Sequence, residues 1–208
     1  MTAAPSLAPP PPPPDPRFPN LSPEVVAGYL AAPETLVAEV IDGALSLMPR
    51  PKPRHARASG VLNGDLSGPF DRGRGGPGGW VFLPEPELHL GPKPDIVIPD
   101  LAGWRRERVP ADLLAEEAPA YITLVPDWVC EVISDKTEAL DRGKKRRIYR
   151  REGVKHYWIV ETRIQTLEVF RLEGGRWVEV DTWEGEALVR AEPFDAIDLH
   201  MRQVFPDD

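Results

Sequence analysis

Residues 128 to 134 read WVCEVIS. A run this apolar, with little alternation of polar and apolar positions, is the pattern of a central strand covered on both faces of a sheet. It calls for a layered fold with packing partners on either side. Yet Glu131 stands in the middle of it. A buried charge without a partner is expensive, so such a carboxylate is paired, protonated or metal-bound.

The flanking sequence supplies the layers. LSPEVVAGYLAAP offers Ser22 as N-cap, Pro23 at the first helical position and Glu24 in the first turn, which predicts a short helix ending near Pro33. LVAEVIDGALSLMP places two apolar runs around Asp42-Gly43, a hairpin signal. From His55 to Phe70, Ala58, Val61, Leu62 and Leu66 recur at helical spacing, and the Gly-rich loop DRGRGGPGG follows. WVFLPEPELHL and PDIVIPDLAGW read as consecutive strands, and residues 105–126 as a long connection with one helical turn near Leu113. Residues 137–152 form a charged helix ended by Gly153, after which KHYWIVE, TLEVFRL and RWVEVDTW are three short strands. The expected fold is α/β, or α+β, with a mixed sheet flanked by helices.

With 208 residues the chain suits one domain, expected over residues 21–208. Residues 1–20, with the run Pro9 to Pro14, read as a disordered proline-rich tail. A net charge of -8 argues against binding nucleic acid through the whole surface but leaves room for a local basic cleft. Cys130 is the only cysteine, which excludes a disulfide framework and a Cys-based zinc site. The N-terminus MTAAPSLAPP has neither a basic nor an apolar segment of the signal-peptide kind, and no apolar run approaches the roughly 20 residues of a membrane span. A soluble cytoplasmic protein with no membrane partner is expected.

Three features carry possible chemistry. KPDIVIPDLAGW contains Pro-Asp twice, at Asp95 and Asp100; Glu131 lies in its apolar strand; and residues 142–155 hold eight basic side chains. Each alone has a plainer reading: a turn signal, a paired edge carboxylate, a solvated helix face. Together they say more. Two carboxylates converging from neighbouring strands make a hard oxygen site for Mg²⁺ or Mn²⁺, and such an ion polarises a phosphodiester. On a helix over 137–152, Leu140, Lys144, Lys145, Ile148 and Tyr149 share the inward face. An inward lysine above two carboxylates is placed to offset charge developing on a phosphate. The outward arginines, among Arg142, Arg146, Arg147 and Arg150, are candidates for a nucleic-acid backbone. Asp95 and Asp100, five residues apart on one continuous strand, would face opposite sides, so only one should reach a metal.

The chain resembles the Uma2 family, within the PD-(D/E)XK restriction-endonuclease-like superfamily. EVIDGALSLMPRPKPRHAR, VIPDLAGW and above all PDWVCEVISDKTEALDRGKKRRIYRREGVKHYWIVE carry the resemblance, from about residue 36 to the C-terminus. The last stretch matches the family's Glu-Val-x-Ser strand end, Lys-x-x-x-Tyr helix and Gly-Val-x-x-Tyr-Trp-Ile-Val strand at Glu131–Ser134, Lys145–Tyr149 and Gly153–Val160. The resemblance implies a restriction-endonuclease-like core and a metal-dependent endonuclease acting on DNA, with Asp100 and Glu131 as metal ligands and Lys145 as the catalytic lysine. The superfamily's usual lysine position, two residues after the Glu, is Ile133 here. Pro99-Asp100 matches the family's Pro-Asp better than Pro94-Asp95 does, although the second Pro-Asp keeps Asp95 open. His55 matches a recurring histidine, with a helix-start hydrogen bond as its other reading, and Glu85 is a weaker candidate on the preceding strand. Glu161 stands where the family has Asp. The long segment between Asp100 and Glu131 suggests an extra loop at the cleft. A catalytically weak or inactive nuclease fold acting as a nucleic-acid-binding or interaction module is the alternative, and a homodimer is a further expectation.

Overall fold

In the computed structural model of the protein, residues 15–134 and 137–205 are described. The proline run at 9–14 lies outside them. Residues 15–20 do not belong to a tail: they form turns, Phe18 is buried, and Asn20 donates from Nδ2 to the Pro92 carbonyl at 2.7 Å. The packed body therefore begins before residue 21, because an aromatic ring finds a partner in Tyr29.

Helix α1 (Pro23–Leu30) starts on Ser22, whose hydroxyl accepts from Val25 N–H. Strands β1 (Leu36–Ile41) and β2 (Ala44–Pro49) pair antiparallel through Asp42 and Gly43, which both have positive φ, as a type I′ turn needs. Helix α2 (Pro53–Leu66) runs into one π turn over Ser67–Asp71.

The next stretch departs from the sequence reading. The two expected strands are each broken in two, giving β3 (Trp80–Pro84) and β4 (Leu88–Leu90), then β5 (Asp95–Val97) and β6 (Leu101–Arg105). Proline sits at both breaks, in Glu85-Pro86 and Pro99-Asp100, and removes the ladder donor that a continuous strand requires. Glu85 takes a positive φ of 46°. The halves then part company. β4 and β5 join a four-stranded antiparallel sheet in the order β2-β1-β5-β4, whereas β3 and β6 join a six-stranded one.

That larger sheet has the order β10-β9-β8-β7-β6-β3, with β7 (Trp128–Ile133), β8 (His156–Glu161), β9 (Thr166–Glu173) and β10 (Arg176–Glu184). Only β7 and β8 are parallel, in register from Trp128 opposite His156 to Ile133 opposite Glu161. Their connection is the charged helical segment, a π turn over Leu140–Lys145 continuing into α3 (Arg146–Glu152) and ended by Gly153 at φ 86°. Two minimal strands, β11 (Leu188–Val189) and β12 (Leu199–His200), and a short α4 (Met201–Val204) complete the chain.

Strand alternation divides β7 between two cores. Trp128, Cys130 and Val132 face α2 and the C-terminal segment, in a cluster with Leu62, Leu66, Phe70, Trp80 and Phe194. Val129 and Ile133 face the other way, with Ile148, Tyr149 and Tyr157 and with Leu88, Leu90 and Val97 of the smaller sheet. Glu131 lies between those two and so shares their face, under the charged helix. Among the described residues no helix is long and apolar enough to cross a membrane.

Candidate active site

The centre is built around Lys145. Its Nζ stands 2.9 Å from Glu131 Oε1, 3.1 Å from Glu39 Oε1 and 3.4 Å from Asp141 Oδ1. All four residues are at most 4% exposed. Each side chain arrives from a different kind of element. Glu131 comes from the central strand β7, Glu39 from β1 of the smaller sheet, and Asp141 and Lys145 from successive turns of the π segment. Tyr149, one turn further along the helix, donates its hydroxyl to Glu131 Oε1 at 2.5 Å. Glu39 Oε1 also accepts the Ile98 N–H at 2.8 Å.

One ammonium facing three carboxylates leaves an excess of negative charge in a place with little water. Burial pushes the Glu131 carboxyl well up from the ordinary carboxylate range, against the pull of Lys145. Burial raises Asp141 in the same way, again opposed by Lys145. For Lys145, burial works against the charge, but Glu131 and Glu39 outweigh it and hold the ammonium well above its usual range.

Asp100 lies beside this cluster. Its Oδ2 accepts the Val132 N–H at 2.7 Å and approaches His55 Nε2 at 3.2 Å. Because β6 and β7 are antiparallel, with Leu101 opposite Cys130, Asp100 sits next to the Glu131 end of β7. His55 is in the first turn of α2. Burial disfavours its charge, yet the Asp100 carboxylate prevails and the imidazole pKa is raised. Its Nδ1 is buried with no hydrogen-bond partner among the described residues.

Asp100, Glu131, Lys145, His55, Glu39, Asp141 and Glu161 line one cavity of about 300 Å³. Its opening is framed by the end of β2, the start of α2 and the β8–β9 turn, where Arg54 Nη2 donates to the Thr162 carbonyl at 3.1 Å. The sequence-predicted trio Asp100, Glu131 and Lys145 is thus brought together, with His55.

Other candidates fall elsewhere. Asp95 is buried on β5, where Oδ1 accepts the Asp42 N–H and Oδ2 meets Arg151, each at 2.5 Å. It braces the β1–β2 turn and does not line the cavity. The two aspartates do not share a continuous strand, since the Pro99 break sends them to different sheets. Asp95→Ala is therefore expected to lower stability by roughly 1–3 kcal/mol through the orphaned turn N–H while leaving any cleavage rate within about twofold of wild type. Thermal melting and plasmid nicking check both halves; a stable but inactive variant would return Asp95 to the site.

Glu85 is exposed and outside the cavity. Lys144 is exposed as well, not inward. The reason is the π turn: its i→i+5 bonding shifts the phase of the helix, so Lys145 alone turns inward where the 3.6-residue spacing expects both. Of the helix arginines, Arg142 is held by Glu168 and Glu138, and Arg146 lies over the Phe170 ring at 4.1 Å. Arg147 is 4.0 Å from Asp42 and Arg150 is exposed; none of the four lines the cavity. Nor does the connection 106–127. It leaves the end of β6 remote from Asp100, so the expected extra loop at the cleft is absent there.

Glu39 and Asp141 were not singled out from sequence. Glu39 carried a readable signal, a carboxylate inside the apolar strand LVAEVI, the same anomaly as Glu131. Asp141 is lost among the charges of its helix.

Among the described residues, no group of three or more His, Cys, Asp or Glu side chains stands in ligating geometry. Asp100 and Glu131 are neighbouring carboxylates in this cavity, since Leu101 stands opposite Cys130. The contacts above use Oδ2 of Asp100 and Oε1 of Glu131, leaving Oδ1 and Oε2 out of them. Mg²⁺ is commonly held by one or two carboxylates while keeping several waters, and the excess negative charge favours it. The residues fit such an ion.

A family model described as "Uma2: Putative restriction endonuclease" matches residues 26–202. A crystal structure described as "a putative nuclease belonging to DUF820", from Anabaena variabilis ATCC 29413, is 19% identical and superposes with a TM-score of 0.67. The match covers 87% of this chain and 97% of that one, a likeness of fold. No curated protein matches the chain.

Proposed function

The chain belongs to the Uma2 family, and on that premise we propose that it is a metal-dependent endonuclease hydrolysing DNA phosphodiester bonds at the Asp100–Glu131–Lys145 centre. The observation that carries this reading is the fixed ammonium of Lys145, 2.9 Å from Glu131, in the same cavity as Asp100. Two carboxylates, one on β7 and one just before β6, and a buried cation beside Glu131 suit a reaction in which negative charge builds on phosphoryl oxygens.

In that reaction a water oxygen bonds to phosphorus and one P–O ester bond breaks. A water proton ends on the leaving alkoxide, giving a phosphomonoester and an alcohol. Asp100 and Glu131 would hold a Mg²⁺ or Mn²⁺ ion, which would supply Lewis-acid polarisation of the phosphate. Lys145 offsets charge on the phosphoryl oxygens and, being locked by three carboxylates, needs no reorganisation as that charge develops. Tyr149 and Val132 N–H fix the two carboxylates through one oxygen each. His55 holds Asp100 from the helix side. The β7 backbone and the π segment thus set the geometry before substrate arrives.

A DNA-cleavage assay across a Mg²⁺ and Mn²⁺ titration tests the proposal. The expected result is product that requires the ion and disappears with chelator. Salt-dependent DNA binding with no product at any ion concentration would instead identify a binding module on the same fold.

A further inference from the structure

The cavity that holds the centre is small and two-faced. Its floor carries the carboxylates and Lys145, but its side wall is apolar, with Val37, Met48, Pro49, Pro51, Ile98 and Ile133. A volume of about 300 Å³ is at the low end of pockets that engulf a compound of drug size, and a nucleotide is of that size. Glu131 and Lys145, 2% and 4% exposed, are among its lining residues. A phosphate on the outside of an intact duplex is carried on a wide, stiff rod. It cannot descend to that floor while both strands stay paired. One unpaired nucleotide can.

From the depth of the floor and the apolar wall beside it, we propose that the substrate enters as an unpaired DNA strand, with one base against the Met48 and Pro49 side of the cavity. This rests on the phosphodiesterase reading above and names its substrate class. The wall offers shape and apolar contact with few hydrogen-bonding groups, which suits any base and gives little sequence readout. The thioether of Met48 adapts to flat rings of different outline. Beyond the wall, the segment joining β2 to α2 presents Arg50 and Lys52 at the opening, both exposed. Arg50 donates to the Glu34 carbonyl, a neutral partner, and neither residue has an ion pair among the described residues. Their charges are available to the phosphates flanking the inserted nucleotide, as those of Arg142 and Arg151 are not.

The test uses the full chain with Mn²⁺ and end-labelled oligonucleotides of one sequence: single-stranded DNA, the blunt duplex, the duplex with a single-stranded flap, and single-stranded RNA. Single-stranded DNA and the flap are expected to be cut at least about tenfold faster than the duplex, in line with the apolar surface one base buries against this wall. Met48→Asp and, separately, the exposed Arg50→Asp are expected to raise KM for the single strand about tenfold while kcat changes less. Equal or faster cutting of the duplex, dependent on Glu131, would overturn the unpaired-strand inference and leave the phosphodiesterase reading intact. Preference for RNA over DNA would overturn the choice of DNA. No Glu131-dependent product from any oligonucleotide would remove both readings.

Discussion

Lys145→Met is expected to lower stability at pH 7 by about 3–5 kcal/mol, the usual cost of leaving buried charge without its partner. Among the described residues Lys145 is the cation within 3.4 Å of Glu39, Glu131 and Asp141, so the variant leaves three carboxylates without the ammonium they face. In a domain of this size that loss corresponds to roughly 10 °C or more in Tm. The pH dependence carries the sign of the cause. Burial already raises the Glu131 and Asp141 carboxyls, and Lys145 is what restrains them; without it they rise further. A carboxyl raised by folding gives its full stability below its unfolded value of about 4 and loses it as pH climbs through the native value. The variant should therefore regain stability as pH falls from 7 towards 5. Melting curves at pH 5, 6 and 7 in chelator check this, and a variant as stable as wild type at pH 7 would mean that Lys145 is not the counter-charge.

Glu131→Gln is expected to have the opposite profile, little change in stability and a loss of at least about 10²-fold in cleavage, the scale of removing one preorganised electrostatic group. Glutamine keeps the volume and an oxygen for the Tyr149 hydroxyl, and Lys145 retains Glu39 and Asp141. Burying a neutral amide costs less than burying a carboxylate, so the fold should hold to within about 2 kcal/mol. What disappears is the charge that pairs with Asp100. Glu131→Gln with wild-type cleavage would remove the centre from the mechanism. Comparing it with Asp95→Ala separates a site carboxylate from a bracing one, since the expected losses run in opposite directions.

Much of this centre was legible in the sequence because each part broke a local rule. Glu131 interrupts an apolar strand, and Lys145 with Tyr149 keeps i,i+4 spacing towards it. Asp100 follows a proline at a strand start. Local rules also explain the misreadings. The 3.6-residue period places Lys144 inward, and no propensity announces the π turn that turns it out. The prolines of Glu85-Pro86 and Pro99-Asp100 read as lying within strands, whereas the chain changes sheets at both, and the second change is how Asp95 and Asp100 come to serve different structures. Glu39 belongs to the site only because the smaller sheet lies over β7, a long-range fact. The same holds for Phe194, whose ring meets Phe70, Trp80, Phe82, Trp128 and Trp158 at 4.8–5.5 Å and closes the opposite core. Nothing near Phe194 in sequence points to those rings. The basic helix misleads for a third reason, because composition counts charges without their partners, and Arg142 and Arg151 are already paired.

Under the proposed function, Asp100 and Glu131 together hold one divalent cation. Crystals of the full chain soaked in Mn²⁺, with anomalous scattering collected near the manganese edge, test it most directly. The expected result is a single anomalous peak within about 2.3 Å of one oxygen from each carboxylate, ordinary for a hard cation on oxygen ligands, and lost in Glu131→Gln. A peak bound elsewhere in the chain, or none between these two carboxylates at millimolar Mn²⁺, would contradict it.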